Sequence, residues 1–134
     1  MRIPGNIPYL KAATALVGLY TVVWSVLEGR LAYDLLLAVP ALALFMVWLV
    51  TRRLGGRVLP WGRGVALAAA IGVAYGVGVM LLTLLLMILK TGLHAHGPEY
   101  TAAQIAWLWR QAPLWGAAGG LVGLGVGLLL SGKR

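Results

Sequence analysis

The sequence predicts an all-α integral membrane protein, a bundle of four transmembrane helices with a short interfacial helix between spans three and four. Of its 134 residues 61% are hydrophobic and only 10% are charged, whereas a typical soluble domain has about 25% charged residues. The mean hydropathy is +0.91. Four uncharged runs approach the roughly 20 residues that a helix needs to cross a bilayer. Residues 1–134 therefore form one membrane domain, with little chain left for a catalytic module, and we expect no enzymatic activity.

Four predicted spans follow one another along the chain, and a short polar turn separates the first two. The predicted spans cover about residues 10–28, 34–52, 64–90 and 113–131. In the second span, the Asp34 carboxylate is placed to accept hydrogen bonds from the first free amides of the helix, and Arg52 and Arg53 follow its apolar run. Pro40 lies inside this span and removes one backbone hydrogen bond, which predicts a bend near Leu36.

The third span is the longest. Its uncharged run, residues 65–89, would extend about 37 Å at 1.5 Å per residue, more than a hydrocarbon core of about 30 Å requires. We therefore expect this helix to tilt. Lys90 and Gly92 follow the run as a cation and a glycine typical of a helix C-terminus.

The connection between spans three and four predicts its own short helix. Thr101 and Gln104 have the spacing of a capping box, which predicts a helix over about 102–110. Trp107 and Trp109 make this helix interfacial, because indole rings prefer the headgroup level. Pro113 then opens the fourth span.

The charges predict the orientation. With four spans, both termini and the loop after span two share one side, which carries eight cations and no acid: Arg2, Lys11, Arg52, Arg53, Arg57, Arg63, Lys133 and Arg134. The other side carries three cations and three acids. Cytoplasmic loops are enriched in Lys and Arg, so we expect both termini on the cytoplasmic side of the plasma (inner) membrane. Arg52, Arg53, Arg57 and Arg63 are expected to contact anionic lipid headgroups, and nucleic acid is not an expected partner.

Small residues recur every four positions along spans three and four. The predicted packing residues are Gly64, Ala68, Gly72 and Gly76 on one helix, and Gly116, Gly119, Gly120, Gly123 and Gly127 on the other. Residues four apart share a helix face, and glycine lets two backbones approach closely. We expect spans three and four to form the tightest pair. The fourth span has two glycine tracks, which would leave one face for another subunit.

Ionisable side chains are absent from all four uncharged runs, which argues against ion-coupled transport. His94 and His96 stand in the second outer connection. In an extended segment residues two apart point the same way, so both imidazoles would reach one ion, with Glu99, Glu28 or Asp34 completing a divalent-metal site. The competing interpretation is a polar loop that stabilises the outer helix ends.

Three functional hypotheses follow. The first is a non-enzymatic accessory or structural subunit that packs through its glycine-rich helices, in the bilayer, against a membrane-protein partner or copies of itself. The second is a small oligomeric transporter or channel. The third is an outward-facing metal or pH-responsive site at His94 and His96. Apart from that metal, no cofactor is expected.

Overall fold

The chain forms four α-helices in the computed structural model, which describes residues 1–93 and 100–132. The helices are α1 Leu10–Val26, α2 Leu31–Leu54, α3 Trp61–Leu93 and α4 Ala102–Gly132. By length and hydropathy, α2, α3 and α4 are each sufficient to cross a membrane. At 17 residues α1 is apolar but shorter. The all-helical membrane fold predicted from the sequence is therefore confirmed at this level.

The start of α2 differs from the prediction. The helix begins at Leu31, its N-cap is Arg30, and no side chain caps it. The Arg30 carbonyl oxygen accepts the first helical hydrogen bond from the Asp34 amide at 3.2 Å. The capping role expected of Asp34 is wrong, because that residue lies within the first turn and its carboxylate binds a side chain of α1 instead.

The predicted interfacial helix and fourth span are one continuous helix. The capping box is present: the Thr101 amide donates to Gln104 Oε1 at 2.8 Å and the Gln104 amide donates to Thr101 Oγ1 at 3.3 Å. From there α4 runs without a break through Pro113 to Gly132. The predicted boundary at Pro113 is wrong, because proline at this point removes one backbone hydrogen bond without ending the helix.

The helices pack in chain order. Contacts are most extensive between α3 and α4, fewer between α2 and α3, and fewest between α1 and α2. A small antiparallel ladder joins the N-terminal segment to the connection after α2: the Met1 nitrogen donates to the Leu59 carbonyl at 3.0 Å, and the Ile3 amide donates to the Arg57 carbonyl at 3.1 Å. The ladder places the start of the chain at the end of the molecule where α2 ends and α3 begins. We call this the basic end.

The hydrophobic core lies toward the opposite end. It contains Trp24 of α1, Leu37 and Ala38 of α2, Val79, Met80, Leu86 and Met87 of α3, and Leu108 of α4. These residues come from the last turn of α1, from the second half of α3 and from the first turns of α2 and α4. All four helices therefore converge at this end, which we call the polar end because Glu28 and Asp34 belong to it.

Candidate functional site

A buried polar cluster joins three helices at the polar end. Trp24 Nε1 of α1 donates a 2.8 Å hydrogen bond to Oδ1 of Asp34 in α2. Trp24 is 5% exposed, and Asp34 is fully buried. A carboxylate withdrawn from water is costly unless hydrogen bonds compensate it. The indole N–H supplies one of these bonds and fixes α1 against α2.

Lys90 completes this cluster from α3. Its ammonium donates a hydrogen bond to the Trp24 carbonyl oxygen, and Nζ lies 4.7 Å from the centroid of the Trp24 ring. The Trp24 carbonyl belongs to the last turn of α1, where carbonyl groups lack helical partners and the helix dipole is negative. Lys90 is fully buried, so its cation reaches this helix end by crossing the interior rather than the surface.

The sequence located two members of this cluster and missed the third. Asp34 and Lys90 border the uncharged runs of the sequence, and in the structure both lie within the helices α2 and α3 and are buried. Trp24 was not predicted. A tryptophan in the last turn of one helix, ten residues before an acid in the first turn of the next, is a signal that could have identified it.

The predicted metal ligands are distributed differently. Glu28 is exposed in the turn between α1 and α2, whereas Asp34 is buried against Trp24. His94, His96 and Glu99 lie outside the described residues. Within the part of the chain that the structure describes, no three His, Cys, Asp or Glu side chains come together.

The glycines of α3 and α4 lie in a seam where the two backbones nearly touch. A Cβ atom added at Gly72 would overlap the Gly119 carbonyl oxygen, and one added at Gly76 would overlap the Trp115 carbonyl oxygen. At Gly123 the added atom would overlap the Ala68 carbonyl oxygen. Only glycine allows this approach, in which Cα–H groups and carbonyls of the two helices come into contact.

The two glycine tracks of α4 are Gly116 with Gly120, and Gly119 with Gly123 and Gly127. The remaining members, Gly116, Gly120 and Gly127, also face α3. Cβ atoms added at Gly116 and Gly120 would lie 3.0 and 2.8 Å from the Cγ2 atoms of Val77 and Val73. One added at Gly127 would lie 2.9 Å from the Val65 Cα. Neither glycine track remains a spare face for another subunit, because the two tracks straddle the same helix. Gly64 contacts a different element, since its added Cβ would meet Met1.

The basic end exposes its cations. Arg2, Lys11, Arg52, Arg53, Arg57 and Arg63 are all exposed, while Lys133 and Arg134 lie outside the described residues. The guanidinium of Arg52 lies 5.1 Å from the Trp48 ring centroid. Arg2 pairs with Val58 in the ladder, so the N-terminal segment brings its charge to the connection that carries Arg57.

A groove of about 820 Å³ opens between α2 and α4. Its floor is the glycine seam with α3, and the N-terminal segment lies at its basic end. The lining is almost wholly apolar and includes Ile3, Ala43, Met46, Val50, Ile71, Ala118, Val122, Val126 and Leu130. Two of its polar groups bind backbone carbonyls: Tyr75 Oη donates to Val39 at 2.9 Å, and Thr51 Oγ1 donates to Val47 at 2.9 Å. Arg2 lines the groove as well.

No protein-family model, no curated protein and no solved structure matches this chain.

Proposed function

We propose that this chain is a non-enzymatic, multi-pass subunit of the plasma (inner) membrane with an accessory or structural role. The observation that carries the proposal is the use of its buried polar groups. Hydrogen bonds of Trp24 with Asp34 and with Lys90 join α1 to α2 and to α3. A further hydrogen bond joins the Tyr75 hydroxyl of α3 to the backbone of α2. These groups hold the helices in a fixed arrangement, and a rigid, preorganised surface loses little entropy when a partner binds.

The proposed topology has four crossings, with the basic end in the cytoplasm. The ladder between Met1–Ile3 and Arg57–Leu59 supports it, because α1 then starts at the same end at which α2 finishes. The 17 residues of α1 extend about 26 Å, which is close to a hydrocarbon core of about 30 Å. The exposed cations of the basic end supply the enrichment that cytoplasmic loops show.

In this topology the first turns of α4 lie at the outer headgroup level. The 31 residues of α4 extend about 46 Å, well beyond the hydrocarbon core. Ile105, Trp107 and Trp109 are 41%, 41% and 58% exposed, and indole rings favour the interface. The residues 102–110 would thus have the interfacial role predicted for them while remaining part of the longer helix.

Native mass spectrometry of the full chain in mild detergent tests the proposal. We expect a complex of fixed stoichiometry, either with another membrane protein or with copies of this chain. The control is a reciprocal purification in which the tag is on the partner, which should yield the same ratio. A chain that is monomeric in both preparations, with no stoichiometric partner, would contradict a subunit role.

A further inference from the structure

The groove between α2 and α4 covers only one half of the molecule. Its lining extends along α2 from Ala43 to Thr51 and along α3 from Leu67 to Gly76, about 12 and 14 Å of helix. On α4 the lining continues further, from Trp115 to Leu130. Beyond Trp115 the space between the helices is filled by the core, where Leu37, Met80 and Leu108 are buried together. The groove therefore extends from the basic end to about the middle of the membrane-spanning region and stops there.

The roughly 12–14 Å over which α2 and α3 line the groove suit a lipid chain better than a helix. A partner transmembrane helix has to follow the full hydrocarbon core of about 30 Å, whereas an acyl chain ends near the midplane, after about half of that thickness. The small side chains of Ala43 and Ala118 and the glycines of the floor leave the depth that a hydrocarbon chain would fill.

The basic end of the groove carries an arginine whose backbone is fixed. Arg2 lines the groove, and its backbone is held by the ladder on both sides, through Met1 with Leu59 and through Ile3 with Arg57 and Gly56. Ile3 is 5% exposed and anchors this segment against the helices. The guanidinium of an arginine at this position can donate two parallel hydrogen bonds to a phosphate.

From this geometry we propose that the groove binds one anionic phospholipid of the inner leaflet. Its acyl chain lies along α4 between Trp115 and Leu130, and its phosphate pairs with Arg2. The neighbouring exposed cations Arg52, Arg53, Arg57 and Arg63 add a positive field that attracts an anionic headgroup. The site requires the groove to face the bilayer but does not require a protein partner.

Lipid add-back to the delipidated full chain tests the site. Phosphatidylglycerol and phosphatidylcholine with identical acyl chains are titrated, and native mass spectrometry counts the lipids bound per chain. We expect one phosphatidylglycerol per chain, with weaker binding of phosphatidylcholine. R2Q should weaken phosphatidylglycerol binding about fivefold, the effect of one cation near an anionic headgroup. It should weaken phosphatidylcholine binding by less, because the choline cation offsets the charge of the phosphate that Arg2 would bind. K11Q, which removes an exposed cation of the basic end that does not line the groove, should change either affinity by less than about twofold, because it lies outside the group of cations assigned to the headgroup.

A second pair of variants tests the acyl-chain path. A118F places a ring inside the groove, whereas A117F places the same ring at an exposed neighbouring position of α4 that does not line it. We expect A118F to weaken both lipids roughly tenfold, because it displaces several methylenes from the groove, and A117F to have no effect. The thermal unfolding midpoint of each variant shows whether it folds, and R2Q tests the proposal even where A118F does not.

Three results would overturn the proposal. Equal loss of binding in R2Q and K11Q would indicate a diffuse charged surface. Unchanged binding in a folded A118F variant would place the lipid elsewhere. Displacement of the lipid by inorganic phosphate, or by dimerisation of the chain, would indicate an anion site or an interface between copies instead.

Discussion

Trp24 stabilises the polar end because three of its parts contact the buried charged side chains of two other helices. The indole N–H binds Asp34, the ring face lies beside the Lys90 ammonium, and the carbonyl oxygen accepts from the same ammonium. The Trp24 carbonyl oxygen also accepts a hydrogen bond from the Leu27 amide at 3.3 Å. A carboxylate of α2 and an ammonium of α3 thus bind one aromatic residue of α1, which fixes three helix ends together.

Replacement of Lys90 with methionine should destabilise the protein. K90M keeps an unbranched side chain of similar length but removes the donor to the Trp24 carbonyl and the positive charge beside the ring. We expect the free energy of unfolding to fall by about 1–3 kcal/mol, the range for a hydrogen bond to a charged group, measured by equilibrium unfolding with denaturing detergent. K11M, which removes an exposed cation at the start of α1, is the control. Equal stability of K90M and the wild type would show that Lys90 does not hold α1 in place.

The sequence predicted that this end of the molecule carries charged residues at its helix ends, but it did not predict which side chains contact one another there. Asp34 and Lys90 could be placed at helix ends, because charge marks the ends of apolar runs. The sequence did not predict that both side chains are buried, because their burial depends on contacts with Trp24, which lies in a different helix. A one-dimensional pattern shows which residues share a helix face but not which faces of separate helices meet.

Helix boundaries were predictable where a local motif determines them. The reciprocal hydrogen bonds of Thr101 and Gln104 fix the start of α4, as a capping box does in any context. Pro113 does not determine a helix boundary by itself. It can open a helix or lie inside one, and the packing of α4 along the whole of α3 decides in favour of continuity.

The glycine seam makes α3 and α4 the element pair most sensitive to a single methyl group. G72A would drive a Cβ atom into the Gly119 carbonyl oxygen, and the two backbones would have to separate. We expect the free energy of unfolding to fall by about 3 kcal/mol, the upper part of the usual range for overpacking, in the same unfolding assay.

A matched alanine substitution separates overlap from helix propensity. An added Cβ at Gly125 meets no atom within 4 Å, so G125A should leave stability unchanged or raise it by up to about 1 kcal/mol, because alanine favours the helix. Similar losses in G72A and G125A would mean that close approach of α3 and α4 does not contribute to stability.

At the scale of the whole molecule, the chain is compact at one end and open at the other. The core and the Trp24 cluster close the polar end, whereas α2 and α4 leave a groove toward the basic end. The hydrophobic pattern could not predict this asymmetry, because uncharged runs look alike whether they face a neighbouring helix or lipid. The charges are asymmetric in the same direction, with exposed cations where the groove opens.

The proposed topology predicts opposite accessibility for two exposed turns. Glu28 lies between α1 and α2, and Arg57 lies between α2 and α3, so the 24 residues of α2 separate them. The chain has no cysteine, which makes E28C and R57C unique labelling sites. A membrane-impermeant maleimide applied to intact cells should label E28C and should label R57C only after permeabilisation, because the cation-rich side is cytoplasmic. The reverse pattern would invert the orientation, and labelling of both sites from outside would contradict a membrane-spanning α2. Adding K11C tests α1: protection like that of R57C supports a crossing between residues 11 and 28, while labelling like that of E28C would reduce the number of crossings to three.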